Sequence, residues 1–179
     1  MKQQLDIGSS GFTRTQEGYD CWGIDIVDHT GEASAKQIVK ADLIFDDIPF
    51  VDDRFDLVTA YDFLEHLPMV IYDYDPLLME RVRRSVMVEL FNEIYRVMKH
   101  GAEFLIQSPC YPDRSCFQDP EHLSFWTDET LHYFSGDYYG FHDHKGHKSR
   151  FELLGQKNEN GHLIARLRAI KDRPLTDPY

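Results

Sequence analysis

Near the start of the chain two short apolar runs, QQLDIG (residues 3–8) and CWGIDIV (residues 21–27), are separated by little more than GSSGFTRTQEGYD. Each run reads as a strand, the first stopped by a glycine and the second carrying an aspartate near its end. Parallel strands need a crossover of a dozen or more residues, which ordinarily holds a helix. The stretch from Gly8 to Asp20 is rich in glycine and lacks helical periodicity. The sequence therefore predicts two strands joined without a full helix, an unusual economy for an α/β chain.

The rest of the chain continues the alternation. ASAKQIVK predicts a short helix within residues 29–40, and ADLIF (41–45) a short third strand. FDLVTA (55–60) is the continuous apolar run of a central parallel strand. In YDFLEHLP, Asp62 is expected to cap a short helix from Phe63, with Glu65 at the capping-box spacing and Pro68 limiting its length. IYDYDP (71–76) reads as a loop. Apolar residues Leu78, Val82, Val86, Leu90, Ile94 and Val97 recur every three or four positions, predicting a helix over roughly 77–99 ended by Gly101, with a Glu80–Arg84 pair on its surface. AEFLIQSP (102–109) is the next strand. After an irregular stretch (110–125), TDETLHYF starts a helix capped by Thr127. FELLGQ and HLIARLRAI form a terminal hairpin around NENG, and DRPLTDPY a frayed end. The expected fold is an α/β sheet, mostly parallel, with a C-terminal antiparallel hairpin, in a single domain over residues 1–179.

Charge narrows the function. All of the formal net charge of −12 lies in the first half: residues 1–80 hold 5 Lys/Arg against 17 Asp/Glu, whereas residues 81–179 hold 14 of each. Such a front half repels polyanions, so nucleic acid is an unlikely ligand. Cys21, Cys110 and Cys116 form no CxxC pair, and no signal peptide precedes the first strand, so free thiols in a cytoplasmic setting are expected. No apolar run approaches a membrane span.

In an open α/β sheet, ligands bind beyond the carboxyl ends of the strands. Here those ends supply Gly8, Asp25, Asp42, Ala60–Asp62 and Ser108, a set of glycine and carboxylates. There is no GKS or GKT for a triphosphate. GSSGF is not GxGxxG, and the helix whose N-terminus would hold a pyrophosphate is missing, which also disfavours a dinucleotide.

The order LDIGSSG, GIDI, ADLIFDDIPFVDDRFDLVTAYDFLEHL and EIYRVMKHGAEFLIQSP resembles that of class I S-adenosylmethionine-dependent methyltransferases, over roughly residues 3–135. DPEHLSFWTDETLHYF is similar to the tail of many such enzymes. The resemblance is to a compact subgroup lacking the usual helix after the first strand. It implies a Rossmann-like fold, S-adenosylmethionine as cofactor and methyl transfer as the reaction.

On that resemblance Gly8 lets the backbone approach the methionine part of the cofactor, and Asp6 organises the turn with Ser9 and Ser10. Asp25, followed by Ile26, accepts the ribose hydroxyls. Asp42 matches the carboxylate near the adenine amine, with Leu43 beside the ring. Tyr61 lines the methionine or substrate side. Plainer roles stand beside these: Asp25 as a strand end, Asp42 and Glu65 as caps. The candidate bases are His122, His66 and Asp119. An imidazole takes a proton at neutral pH, but His66 also reads as packing and His122 as a loop tether. No metal is expected: His142, His144 and His147 read as surface residues, and Cys110 and Cys116 as packing. The expected acceptor is a small molecule or a saccharide; the alternative is a cofactor-binding regulatory protein without transfer activity.

Overall fold

The computed structural model describes residues 1–11, 13–29, 37–135 and 146–171. Its centre is a seven-stranded sheet ordered β3-β2-β1-β4-β7-β9-β8. The strands are β1 (Lys2–Ile7), β2 (Tyr19–Asp25), β3 (Ile38–Lys40), β4 (Phe55–Tyr61), β7 (Met98–Pro109), β8 (Phe151–Glu159) and β9 (His162–Ala169). The first five of that order are mutually parallel, and β9 and β8 close one edge antiparallel. This is the expected α/β, Rossmann-like sheet with its terminal hairpin. The hairpin turns at Asn160 and Gly161, both with positive φ, as an Asn-Gly type turn requires. Its tip is tight: a Cβ on Gly161 would lie 2.5 Å from Cγ of Asp113, and the Gly161 carbonyl accepts the amide of Cys110.

Strand alternation gives the sheet two unlike faces. Leu5, Ile7, Val58, Ala60, Phe104 and Ile106 share one face and are buried. Helix α1 (Val86–Val97) supplies much of the same core through Val86, Met87, Leu90, Phe91, Ile94 and Val97. Phe91 stacks on Phe134 at 3.9 Å and meets Phe104 and Phe151 edge-on.

Gln4, Asp6, Cys21, Leu57, Thr59 and Tyr61 share the other face. Parallel sheets are normally covered by helices on both sides. Here an extended segment replaces the helix over β1. The Arg14 amide donates to Asp6 (2.8 Å), the Gln4 amide group donates to the Arg14 carbonyl (2.8 Å), and the Gln16 amide donates to the Gln4 side-chain oxygen (3.2 Å). A helix spends its own amides and carbonyls internally and could not satisfy Gln4 and Asp6; an extended chain can. Gly23 permits this layer, because a Cβ there would stand 2.7 Å from the Ser9 hydroxyl and 2.9 Å from that of Thr13. The expected absence of a full helix between β1 and β2 holds among the described residues.

Several local expectations fail. The helix predicted over 77–99 is only α1. Before it the chain forms a separate hairpin, β5 (Ile71–Asp75) and β6 (Glu80–Arg84), where a loop and a helical turn were expected. The Asp75 carboxylate accepts the amides of Leu77 (2.8 Å) and Leu78 (3.2 Å), and Met79 takes a positive φ. These features make a turn and leave Leu77, Leu78 and Met79 exposed. Arg84 consequently pairs with Asp73 and Glu89 instead of Glu80. Helix α1 passes directly into β7, and Gly101 lies within that strand.

ADLIF is not a strand. The pairing residues are Ile38–Lys40, and Asp42 folds the following residues into a turn by accepting the amide of Ile44. Asp62 caps nothing: it has φ +51 and receives the side-chain amide of Gln107, and the turn at Leu64–His66 is a single 3-10 turn without a side-chain cap. Residues 110–125 contain a short helix, α2 (Ser115–Gln118). TDETLHYF begins as a turn in which Thr127 accepts the Glu129 amide, with α3 confined to His132–Ser135. The first half of ASAKQIVK, His142, His144 and the end of the chain from residue 172 lie outside the described residues; the second half of ASAKQIVK, expected as helix, holds strand β3 instead. No helix among the described residues is long and apolar enough to cross a membrane. Cys21, Cys110 and Cys116 are free and buried.

Candidate active site

The carboxyl ends of β1, β2 and β4 build one edge of the sheet. β1 is followed by Gly8, whose φ of +71 favours glycine. A Cβ at Gly8 would also strike the Phe63 ring at 2.4 Å. The turn after β4 therefore lies directly on the turn after β1, and only a residue without a side chain permits it. The amides of Gly8 and Ser9 donate to the Ile24 carbonyl at 2.9 and 3.1 Å. The Ser10 amide donates to Asp25 at 2.7 Å, and the other oxygen of Asp25 receives the Val27 amide at 2.9 Å. His29 stands 3.6 Å from the same carboxylate. The Ser9 hydroxyl is buried here without a hydrogen-bond partner.

The sequence-predicted residues thus fall into three groups. Gly8, Ser9, Ser10 and Asp25 meet at one turn. Asp42 follows closely, because the amide of its neighbour Ala41 donates to the Asp25 carbonyl. Leu43 is packed into the core and Ile26 is largely exposed. Asp6 lies beneath the extended segment: its carboxylate takes the Arg14 amide and the Thr59 hydroxyl (2.6 Å). Burial raises the Asp6 pKa above its usual value, against the lowering effect of the Thr59 and Arg14 contacts. Tyr61, at the end of β4, carries the Arg14 guanidinium 4.5 Å above its ring, and burial raises its phenol pKa.

The third group lies where β4 and β7 end. His66 and His122 meet edge to face with ring centres 5.1 Å apart. Nδ1 of His122 contacts the Cys116 carbonyl at 3.2 Å; since a carbonyl only accepts, Nδ1 carries the proton. Asp119 folds its own turn by accepting the Glu121 amide, and its second oxygen lies 4.0 Å from His122 Nε2. Glu65, expected as a cap, is instead an interior residue only 2% exposed. Its carboxylate receives the Ser108 hydroxyl at 3.1 Å, and burial raises its pKa. Its carbonyl receives the amides of Leu123 (2.7 Å) and Ser124 (3.0 Å). The Ser124 hydroxyl donates to the Leu64 carbonyl and accepts from the Trp126 indole. Glu65 and Ser124 thus dock the loop after β7, in which His122 lies. The sequence places Ser108 at a strand end without giving it a partner, and gives Phe63 only as the start of a short helix. The signal for Phe63 was a bulky residue beside a turn that needs glycine.

Chemically, the edge is suited to a cation and a diol. Asp25 and Asp42 supply acceptors for hydroxyl and amine groups, and carboxylates favour a sulfonium over a phosphate. The donor set therefore fits S-adenosylmethionine.

A methyltransferase-domain family model matches residues 5–106, more than half of the chain. Among solved structures, a SAM-dependent methyltransferase from Archaeoglobus fulgidus is 19% identical, with 93% of this chain and 86% of that chain covered and a TM-score of 0.57. A putative methyltransferase from Bacillus halodurans C-125 is 15% identical over 95% of this chain and 93% of that one, with a TM-score of 0.56. A putative methyltransferase solved in complex with the Trm112 methyltransferase activator of Haloferax volcanii is 14% identical over 95% and 83%, with a TM-score of 0.58. A comparison with curated proteins gives no significant match. The chain belongs to the methyltransferase-domain family, the class I enzymes that its motifs resemble. It is a methyltransferase, and S-adenosylmethionine is its cofactor.

Proposed function

We propose that the enzyme methylates a small molecule or a saccharide-type acceptor, with the donor along the Gly8–Asp25–Asp42 edge and the acceptor between the turn after β4 and the loop after β7. The observation that carries this reading is the contact of Phe63 with Gly8. Phe63 precedes His66 by three residues, His66 meets His122, and Asp119 lies 4.0 Å from His122, which supports an acceptor held on this side of the donor turn. An in-line transfer needs the acceptor held there and water excluded. The acidic first half of the chain supports a small acceptor over nucleic acid. Three free cysteines suit a reducing, cytoplasmic compartment.

Asp25 is the residue to test. Replacement by Ala removes the acceptor for any ribose hydroxyl, and calorimetry should show S-adenosylmethionine binding weakened at least about tenfold, the loss of one or two charge-assisted hydrogen bonds. Unchanged affinity in a folded variant would refute the ribose assignment.

A further inference from the structure

We propose that Glu65, His66 and His122 form a site for one divalent first-row transition-metal ion, whose open position receives a hydroxyl oxygen of the methyl acceptor. The second half of this statement rests on the function proposed above; the first does not. One ligand atom from each of the three side chains lies within 4.8 Å of the other two. Ligands on a common ion with bonds of about 2.1 Å stand roughly 3 to 4.2 Å apart, so a small inward movement closes the set.

The supporting contacts are those a metal site needs. A ligating histidine commonly gives its other N–H to a carbonyl or carboxylate, which fixes the ring and the tautomer. His122 does this through Nδ1 and the Cys116 carbonyl, leaving Nε2 with its lone pair. The Glu65 carboxylate is held by the Ser108 hydroxyl. The two chain segments are locked together as well: the carbonyl of Glu65 binds the amides of the two residues after His122. Glu65 is buried, and His66 and His122 are partly buried. The group is therefore not a chance gathering of solvated side chains.

Two imidazoles and one carboxylate suit zinc, cobalt, manganese or iron better than magnesium or calcium. Three protein ligands leave at least one position open, the arrangement of catalytic rather than structural metal sites. A hydroxyl bound there loses its proton to water more readily. Its oxygen then attacks the sulfonium methyl carbon: the O–C bond forms, the C–S bond breaks, and its electron pair goes to sulfur as the neutral thioether. His122 is in this case a ligand rather than a base, and the acceptor atom is oxygen rather than carbon or nitrogen.

The test uses the full chain stripped with a chelator. Titration with Zn2+ by calorimetry should give one tight site per chain, and loading with Co2+ should produce visible ligand-field bands. His66→Gln, His122→Ala and Glu65→Gln should each weaken Zn2+ binding by at least about tenfold. Circular dichroism reports whether each stays folded, and His66, less buried than Glu65, makes His66→Gln the variant that decides if Glu65→Gln unfolds. Failure of the stripped protein to bind Zn2+, or binding that survives His66→Gln and His122→Ala, as it would at the histidines of residues 142–147, overturns the site. S-adenosylmethionine binding is measured in parallel. Donor binding without metal binding sinks this inference and leaves the proposed function standing; metal binding without donor binding leaves the metal site standing and removes its acceptor role together with the proposed function.

Discussion

On one face of the sheet, Phe91 is wholly buried among Phe104, Trp126, Phe134 and Phe151. On the other, Gln4 and Asp6 are just as buried, yet they hold an extended segment by hydrogen bonds to its backbone. The first face is stabilised by apolar area and close packing, which tolerate imperfect direction but not lost volume. The second depends on direction: each polar group there must find its partner or lose its solvation without return. A strand can thus be central and buried on both sides without being apolar on both, provided its covering layer still has free amides and carbonyls to offer.

The comparison can be broken in order of expected effect. Phe91→Ala should cost about 3–5 kcal/mol in urea denaturation, the range for emptying a large aromatic site. A smaller loss would mean that the aromatic cluster collapses around the gap. Asp6→Ala should cost about 1–3 kcal/mol, because it strands the Arg14 amide and the Thr59 hydroxyl. If the loss matched that at Phe91, the polar layer would be as much a part of the cooperative core as the helix.

Asp6 also carries a pH signature. Its pKa in the folded chain is raised above 3.8 by burial, so between 3.8 and that higher value the native state holds more protons than the unfolded one. Its contribution is fully present below pH 3.8 and declines as pH rises through the folded pKa. Denaturation across pH 4 to 7 should therefore show a downward component with rising pH that disappears in Asp6→Asn. An unaltered pH profile would refute burial as the dominant influence. The least effect is expected farther along the polar face, where Arg168 pairs with Glu152 at 3.2 Å and both side chains are well exposed. Arg168→Ala should change stability by about 1 kcal/mol or less.

β1, β2, β4 and β7 were legible because each holds an apolar run stopped by glycine, aspartate or proline, and the terminal hairpin because NENG fixes its turn; β3 was misplaced onto ADLIF, because its own three residues are too short a run to stand out. The layer over β1 was legible only as the absence of a helix. The alternation Gln4-Leu5-Asp6-Ile7 already distinguished the two faces, but nothing local names the segment that would answer Gln4 and Asp6. The start of α1 was misread because Leu78 and Val82 extend its three-to-four spacing backwards. The Asp75 turn and the positive φ of Met79 overrule that pattern. Within the candidate site, the positions of Gly8 and Asp25 followed from strand ends, which are local, whereas Asp42 lies in a turn beyond β3. The grouping of Glu65 and His66 with His122 was not legible, because it depends on how the loop after β7 folds back to the Glu65 carbonyl.

The tight tip at Gly161 makes the two hairpins unequal as places for evolution or engineering to add sequence. Any residue inserted between β8 and β9 would push on Asp113 and on the chain leading to His122, so this tip is a wedge whose length is fixed by what it touches. The β5–β6 tip leaves Leu77 and Met79 open to solvent among the described residues. A reporter peptide or a recognition loop belongs at the second hairpin, where added sequence extends outward from the enzyme, and lineages of this chain should vary in length there while keeping the first hairpin short.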